Sequence, residues 1–183
     1  MGNVFKETGL RWLWLALLLL IIDQVTKHWV AATFNYREVI EVMPFFNLTY
    51  VHNPGAAFSW LADQSGWQRW FLSAVAIVVS VMLIIWMRKT PKQQALISIA
   101  FALILSGAIG NVIDRLMFGY VIDFLDFYIG NKHWPAFNVA DSAIFVGAAL
   151  MIYDAFTNNE QSDNRTGENK QVADNEHVDS KQG

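Results

Sequence analysis

Four acidic residues sit among apolar neighbours: Asp114, Asp123 and Asp141 in the stretches G-A-I-G-N-V-I-D-R-L, G-Y-V-I-D-F and F-N-V-A-D, and Asp126 two residues past the second. Ionisable groups are costly in hydrocarbon, so a carboxylate inside a bilayer marks a functional site by default. Two carboxylates brought together by folding cannot both ionise easily, and they titrate as a pair sharing one proton. The charged member can take a proton from water while the neutral one donates to a carbonyl oxygen, which is amide hydrolysis by paired acids. That chemistry requires no metal, no cofactor and no covalent intermediate.

Asp141 has no basic neighbour and stands at a helix start, where a dipole or capping role is the plain alternative. Asp123 is ringed by Val121, Ile122 and Phe124, and Asp126 competes with it as the partner of Asp141. The residue pattern alone does not separate Asp123 from Asp126. A serine–lysine dyad, Lys27 with Ser106 or Ser142, is a weaker arrangement with no distinctive motif. Asp114-Arg115 reads as a structural ion pair or snorkelling unit at a helix end. Asp23 and Lys27, four apart, read as a local pair that could line the site. Asn53, Asn111 and Asn138 read equally as interhelical hydrogen-bonders or as groups that orient a peptide or an acid.

The elements that must position these residues are set by composition. The 183 residues are 54% hydrophobic, 14% aromatic and only 16% charged, with a mean hydropathy of +0.28. Soluble domains carry about 25% charge, so a membrane protein is expected. The net charge of −3 comes from the tail: from Thr157 onward there are six acidic and three basic residues. The remaining body is neutral, which argues against nucleic acid as a partner. The absence of cysteine excludes disulfides and thiolate chemistry, and the scattered histidines form no H-E-x-x-H pair.

Four spans are expected, at about 10–32, 70–87, 95–113 and 137–156, each long enough to cross a bilayer. The first lacks a clean cleavage site and continues as D-Q-V-T-K-H-W-V, so it is expected to be a retained helix and not a signal peptide. Lys6 and Arg11 precede it, and Arg88, Lys89 and Lys92 lie between spans two and three. The positive-inside rule therefore places both termini in the cytoplasm. Trp60, Trp67, Trp70 and Trp134 mark the opposite interface.

The segment at about 36–63 alternates like a strand and carries the turn signal Asn53-Pro54-Gly55, so a small extracytoplasmic sheet is expected there. Met117 to Trp134 is aromatic-rich and expected at the same interface. Residues 1–157 form the membrane domain, and the polar segment 158–183 is expected to be a disordered cytoplasmic tail. At about 1.5 Å per residue, Asp23 lies roughly 18 Å along span one from Arg11, and Asn111 roughly 25 Å along span three from Gln94. Asp114, Arg115, Asp123, Asp141 and Asn53 fall at that same outer level. A proton-relay subunit or small transporter, the main alternative, would need ionisable groups at several depths.

At these residues the chain resembles the bacterial lipoprotein signal peptidase (signal peptidase II) family. The resemblance is carried by D-Q-V-T-K at 23–27, N-P-G-A-A-F at 53–58, S-G-A-I-G-N-V-I-D-R at 106–115, G-Y-V-I-D-F at 119–124 and F-N-V-A-D at 137–141, in the family's order. It implies four transmembrane helices with a small extracytoplasmic β-cradle in the bacterial inner membrane. It implies an aspartic endopeptidase that cleaves diacylglyceryl-modified prolipoproteins just before the lipidated cysteine, with membrane lipids around it and globomycin as its inhibitor. By motif position the catalytic pair would be Asp123 and Asp141. Asn53, Asn111, Arg115 and Asn138 would bind substrate or support the pair, as would Asp23 and Asp114. The third motif opens with Ser106-Gly107 where the family often has two glycines, a departure small enough to keep helices close.

Overall fold

The computed structural model describes residues 4–55 and 66–157. A single turn, α1 (Val4–Glu7), precedes the helices that, among the described residues, are long and apolar enough to cross a membrane, four in number. These are Gly9–Thr33, in which a 3-10 turn runs into α2 (Leu13–Thr33), then α3 (Trp67–Lys89), α4 (Ala95–Phe118) and α5 (Val139–Thr157). At 1.5 Å per residue the longer ones reach about 35 Å, beyond the ~30 Å of a hydrocarbon core.

The expected spans are all present, with one boundary that matters. The third was expected to end at about residue 113, but α4 continues to Phe118. Asp114 is not a polar stop, because its charge is met inside the protein by Lys27 at 2.9 Å. The helix ends instead at Gly119, whose φ of +87° is the left-handed conformation suited to glycine. Its N–H bonds back to the Arg115 carbonyl.

The exposure pattern is that of a membrane bundle. Val25, Val78 and Phe145 on α2, α3 and α5 are 61%, 58% and 76% exposed, which leaves apolar side chains for lipid to cover. The central helix α4 buries Ala100, Ala102, Leu105 and Ser106 instead. Small residues bring its backbone close to α5. A Cβ on Gly107 would overlap the carbonyl oxygen of Ala140, and one on Gly147 would come within 2.8 Å of the Ala100 oxygen. Ser106 fits the same contact because its hydroxyl turns back onto the Leu103 carbonyl at 2.7 Å.

At one end of the bundle sits a four-stranded antiparallel sheet in the order β1-β2-β3-β4. The hairpin β1 (Val39–Met43) and β2 (Phe46–Asn53) lies within the expected outer segment; its remainder at 56–63, with Trp60, is outside the described residues, as is the 158–183 tail. The segment from Met117 to Trp134 is more than an aromatic interface. It forms β3 (Val121–Ile129) and β4 (Lys132–His133), with β3 paired to β2 from Asn53↔Val121 to Phe46↔Phe127. V-I-D-F-L-D-F-Y-I is rich in β-branched and aromatic residues, which suit a half-buried pleated surface. Leu48, Tyr50 and Phe124 rest on Val30 and Phe34 at the end of α2.

At the opposite end the chain start meets the α3–α4 loop. Gly9 donates to the Thr90 carbonyl at 2.9 Å, and Lys92 pairs with Glu7 at 2.7 Å. The two basic segments therefore share one end of the bundle, while Trp67, Trp70 and Trp134 are exposed near the other.

Candidate active site

The start of α5 is built by a reciprocal cap. The Asn138 side-chain oxygen accepts the backbone N–H of Asp141 at 2.9 Å, and the Asp141 Oδ2 accepts the backbone N–H of Asn138 at 3.3 Å. An acceptor before the helix and an acid three residues on satisfy two orphan N–H groups at once. The capping role considered for Asp141 is therefore real, and it occupies only one of its oxygens. The other, Oδ1, accepts from Asn111 Nδ2 of α4 at 2.8 Å.

Asp123 reaches the same place from β3. Its Oδ1 accepts from Asn138 Nδ2 at 2.7 Å, and its Oδ2 from Asn53 Nδ2 at 2.9 Å, where β2 ends. Asn53 is held by an Asx turn, with the Gly55 N–H on its side-chain oxygen at 2.9 Å. Asn138 is fully buried and also donates to the Ile122 carbonyl at 3.2 Å. One asparagine thus binds both aspartates, and a second, Asn111, links to it at 3.4 Å.

The two carboxylates differ in surroundings. Asp123 is 1% exposed. Burial, and then the nearby charge of Asp141, push its pKa up to about 7 against the lowering pull of Asn53, Asn138 and Lys27. Asp141 is half-buried and opens onto a groove of about 420 Å³ lined by Trp134, Phe137, Ser142, Phe145 and Val146. The groove lies beside the exposed Phe145 and Val146 of α5, so it opens sideways where lipid would lie. Two linked carboxyl groups, one of them protonated near neutrality, can donate and accept a proton across a bound carbonyl group.

A second polar layer lies under this pair. Lys27 Nζ is fully buried and bonds to Asp23 at 2.9 Å, Asp114 at 2.9 Å and Asn111 Oδ1 at 3.0 Å. The expected Asp23–Lys27 pair is therefore part of a wider network, joined by Gln24 donating to Asp114 at 3.0 Å. The expected Asp114–Arg115 pair is corrected: the ion pair of Asp114 is with Lys27. Adjacent helix residues point in different directions. Arg115 Nη1 donates to the Asn111 carbonyl at 3.3 Å, its Nε has no hydrogen-bond partner among the described residues, and its charge interacts with Asp141, Asp123 and Asp114. Lys27 spends its donors on these acceptors, and Ser106 and Ser142 bond to the carbonyls of Leu103 and Asn138, so no serine–lysine dyad forms.

Asp126 belongs elsewhere. Three residues from Asp123 along a strand, it points to the other sheet face, where it accepts from Asn47 at 2.8 Å and meets His133 at 2.9 Å. An Asp126→Asn variant should cleave substrate within a few-fold of the unmodified protein in a purified assay. A loss equal to that of Asp123→Asn would reopen the choice between them.

Residues 15–157 match the model of the family described as signal peptidase (SPase) II. The chain belongs to the signal peptidase II family. It is 56% identical over 167 residues to the lipoprotein signal peptidase of Alteromonas mediterranea, covering 91% of this chain and 92% of that one. It is 54% identical over 155 residues to that of Shewanella woodyi, covering 85% and 88%. A bacterial membrane enzyme solved by the in meso method at 2.3 Å resolution superposes with a TM-score of 0.70 at 34% identity, covering 79% of this chain and 86% of that one. A second, solved at 1.9 Å, gives a TM-score of 0.69 at 35% identity. The chain is a multi-pass bacterial membrane peptidase.

All eight residues expected at the site by family position, Asp23, Asn53, Asn111, Asp114, Arg115, Asp123, Asn138 and Asp141, meet in this cluster. The central place of Lys27 and the contribution of Gln24 were missed. The sequence offered one clue: Asp23 and Gln24 stand four and three residues before Lys27, spacings that set each beside it on the helix, more polarity than a lipid-facing stripe can carry.

Proposed function

We propose that the protein is an aspartic endopeptidase that removes the signal peptide from diacylglyceryl-modified prolipoproteins, cleaving just before the lipidated cysteine. The observation that carries this reading is the joining of Asp123 and Asp141, from separate segments, by shared asparagines, with Asp141 lining a sideways apolar groove. The names of the relatives supply the substrate class. Family membership supports globomycin as an inhibitor competing for the same groove.

Asp141 acts as the base and Asp123 as the acid, because Asp123 keeps its proton up to about pH 7. Asp141 takes a proton from water as its oxygen attacks the scissile carbonyl carbon, and Asp123 protonates the carbonyl oxygen. The tetrahedral diol collapses when Asp141 returns its proton to the amide nitrogen and the C–N bond breaks. Asp123 regains a proton from the diol hydroxyl. Arg115, whose Nε has no hydrogen-bond partner among the described residues and whose charge interacts with both aspartates, suits a substrate carbonyl.

The basic end of the bundle faces the cytoplasm by the positive-inside rule, so the sheet and the pair face outward. Lipid chains on the cysteine keep the scissile bond at that level, which raises its effective concentration at the pair. Asp23, Lys27, Asp114, Arg115 and Asp141 gather at one level, whereas a proton relay needs carriers at several.

The test is cleavage by purified protein, in lipid vesicles, of one precursor prepared with and without the diacylglyceryl group. Cleavage of the lipidated form alone, leaving lipidated cysteine at the new N-terminus, is expected. Equal cleavage of both forms would remove the lipid from recognition. Ion flux without cleavage would favour a transporter.

A further inference from the structure

We propose that Lys27 is a positioning residue for the reaction, one buried ammonium that sets the place of both aspartates through three separate routes. Resting on the peptidase reading above, this adds to the pair a residue that touches neither aspartate.

An ammonium has three N–H donors, and Lys27 has three acceptors at 2.9, 2.9 and 3.0 Å on two helices. Each acceptor leads on to the site. Asp23 uses its other oxygen, Oδ1, to accept the backbone N–H of Ala140 at 2.8 Å, one residue before Asp141. Asp114 Oδ2 also accepts the backbone N–H of Ile122 at 3.2 Å, one residue before Asp123. Asn111 presents its oxygen to Lys27, which forces its amide nitrogen toward Asp141 Oδ1 at 2.8 Å. Lys27 therefore ties down the residue preceding each aspartate and fixes the amide that donates to one of them.

A simple helix-to-helix pair would not need this layout. One acid would neutralise Lys27, and a second buried carboxylate adds a desolvation cost. Here the second acid is placed where it also anchors β3. Fixed geometry is what positioned chemistry needs, since a displacement of about 1 Å can cost about a hundredfold in rate.

The charge of Lys27 also reaches Asp123, favouring its ionised form. Asp123 faces Asn53 on β2 and Asn138 at the head of α5, and the charged groups acting on it are Asp141, Lys27 and Arg115. Removing the ammonium raises the pH at which the shared proton is lost, so the alkaline limb of the rate profile moves upward.

The test compares the full-length protein, its Lys27→Met variant and a triple variant with Lys27→Met, Asp23→Asn and Asp114→Asn, each assayed on lipidated precursor. The triple variant removes the uncompensated acids yet keeps oxygens that can accept from Ala140 and Ile122. Folding is checked by thermal melting in detergent. Lys27→Met should lower kcat about a hundredfold, leave KM within about twofold, and displace the alkaline limb to higher pH. The triple variant should fold and keep the kcat loss. Wild-type kcat in Lys27→Met, a KM effect without a kcat effect, or recovery of kcat in the triple variant would each overturn the proposal. Failure of both variants to fold would assign Lys27 to folding alone and overturn it too. Asp123→Asn and Asp141→Asn run alongside: substantial cleavage by either would sink the paired-aspartate reading on which the proposal rests, whatever Lys27 does.

Discussion

Asp123→Asn and Asp141→Asn should each abolish cleavage of lipidated precursor, by at least about a thousandfold, the scale of positioned proton transfer. Both proteins should remain folded and inserted. Asparagine keeps one oxygen that can accept from either Asn138 or Asn53 at position 123, and from either Asn111 or the Asn138 N–H at position 141. Each variant thus gives up one of two hydrogen bonds but adds no charge or bulk. What is also lost is the ability to carry a proton. The two losses should not add, because a pair that works as a unit fails as a unit. Single-turnover cleavage by the two single variants and the double variant measures this. A single variant with a tenth of normal activity would break the assignment of roles.

Asn138→Ala is expected to be the next most damaging change, through two effects that can be measured apart. It removes the cap of α5, worth about 1 kcal/mol. It also removes the Nδ2 donor to Asp123 and to the Ile122 carbonyl from a site with no exposure to water. The head of α5 then loses its tie to β3, and kcat should fall about a hundredfold from misplacement. Asn138→Asp separates the effects: it can still cap Asp141 but cannot donate, when ionised, to Asp123. Asn138→Asp should therefore melt closer to wild type while cleaving as poorly as Asn138→Ala. Equal cleavage by wild type and Asn138→Asp would mean that the amide donor is not needed.

Local signals in the sequence carried much of this arrangement. Long charge-free runs mark the spans, and the Asn138-to-Asp141 spacing marks the head of α5. Alternation between Phe46 and Asn53 marks a strand. The depth of Asp23, Asn111 and Asp141 follows from helix rise alone. The pairing of β2 with β3 joins residues some seventy positions apart, and only the folded chain specifies such contacts. Choosing Asp123 over Asp126 needed that register too, because alternation says that they face apart but not which face meets α5. The end of α4 was misjudged for a related reason: Asp114 looks like a stop until Lys27, from another helix, is placed against it.

The shared proton is the centre of the proposed mechanism, and a pH–rate profile of cleavage in lipid vesicles tests it most directly. With Asp123 holding its proton up to about pH 7, activity should fall along an alkaline limb near that value. Loss of the Asp123 proton removes the acid, so the rate must decline above it. A rate that holds level or climbs through about pH 9 would mean that no such proton is in play, and the paired-aspartate mechanism would be wrong.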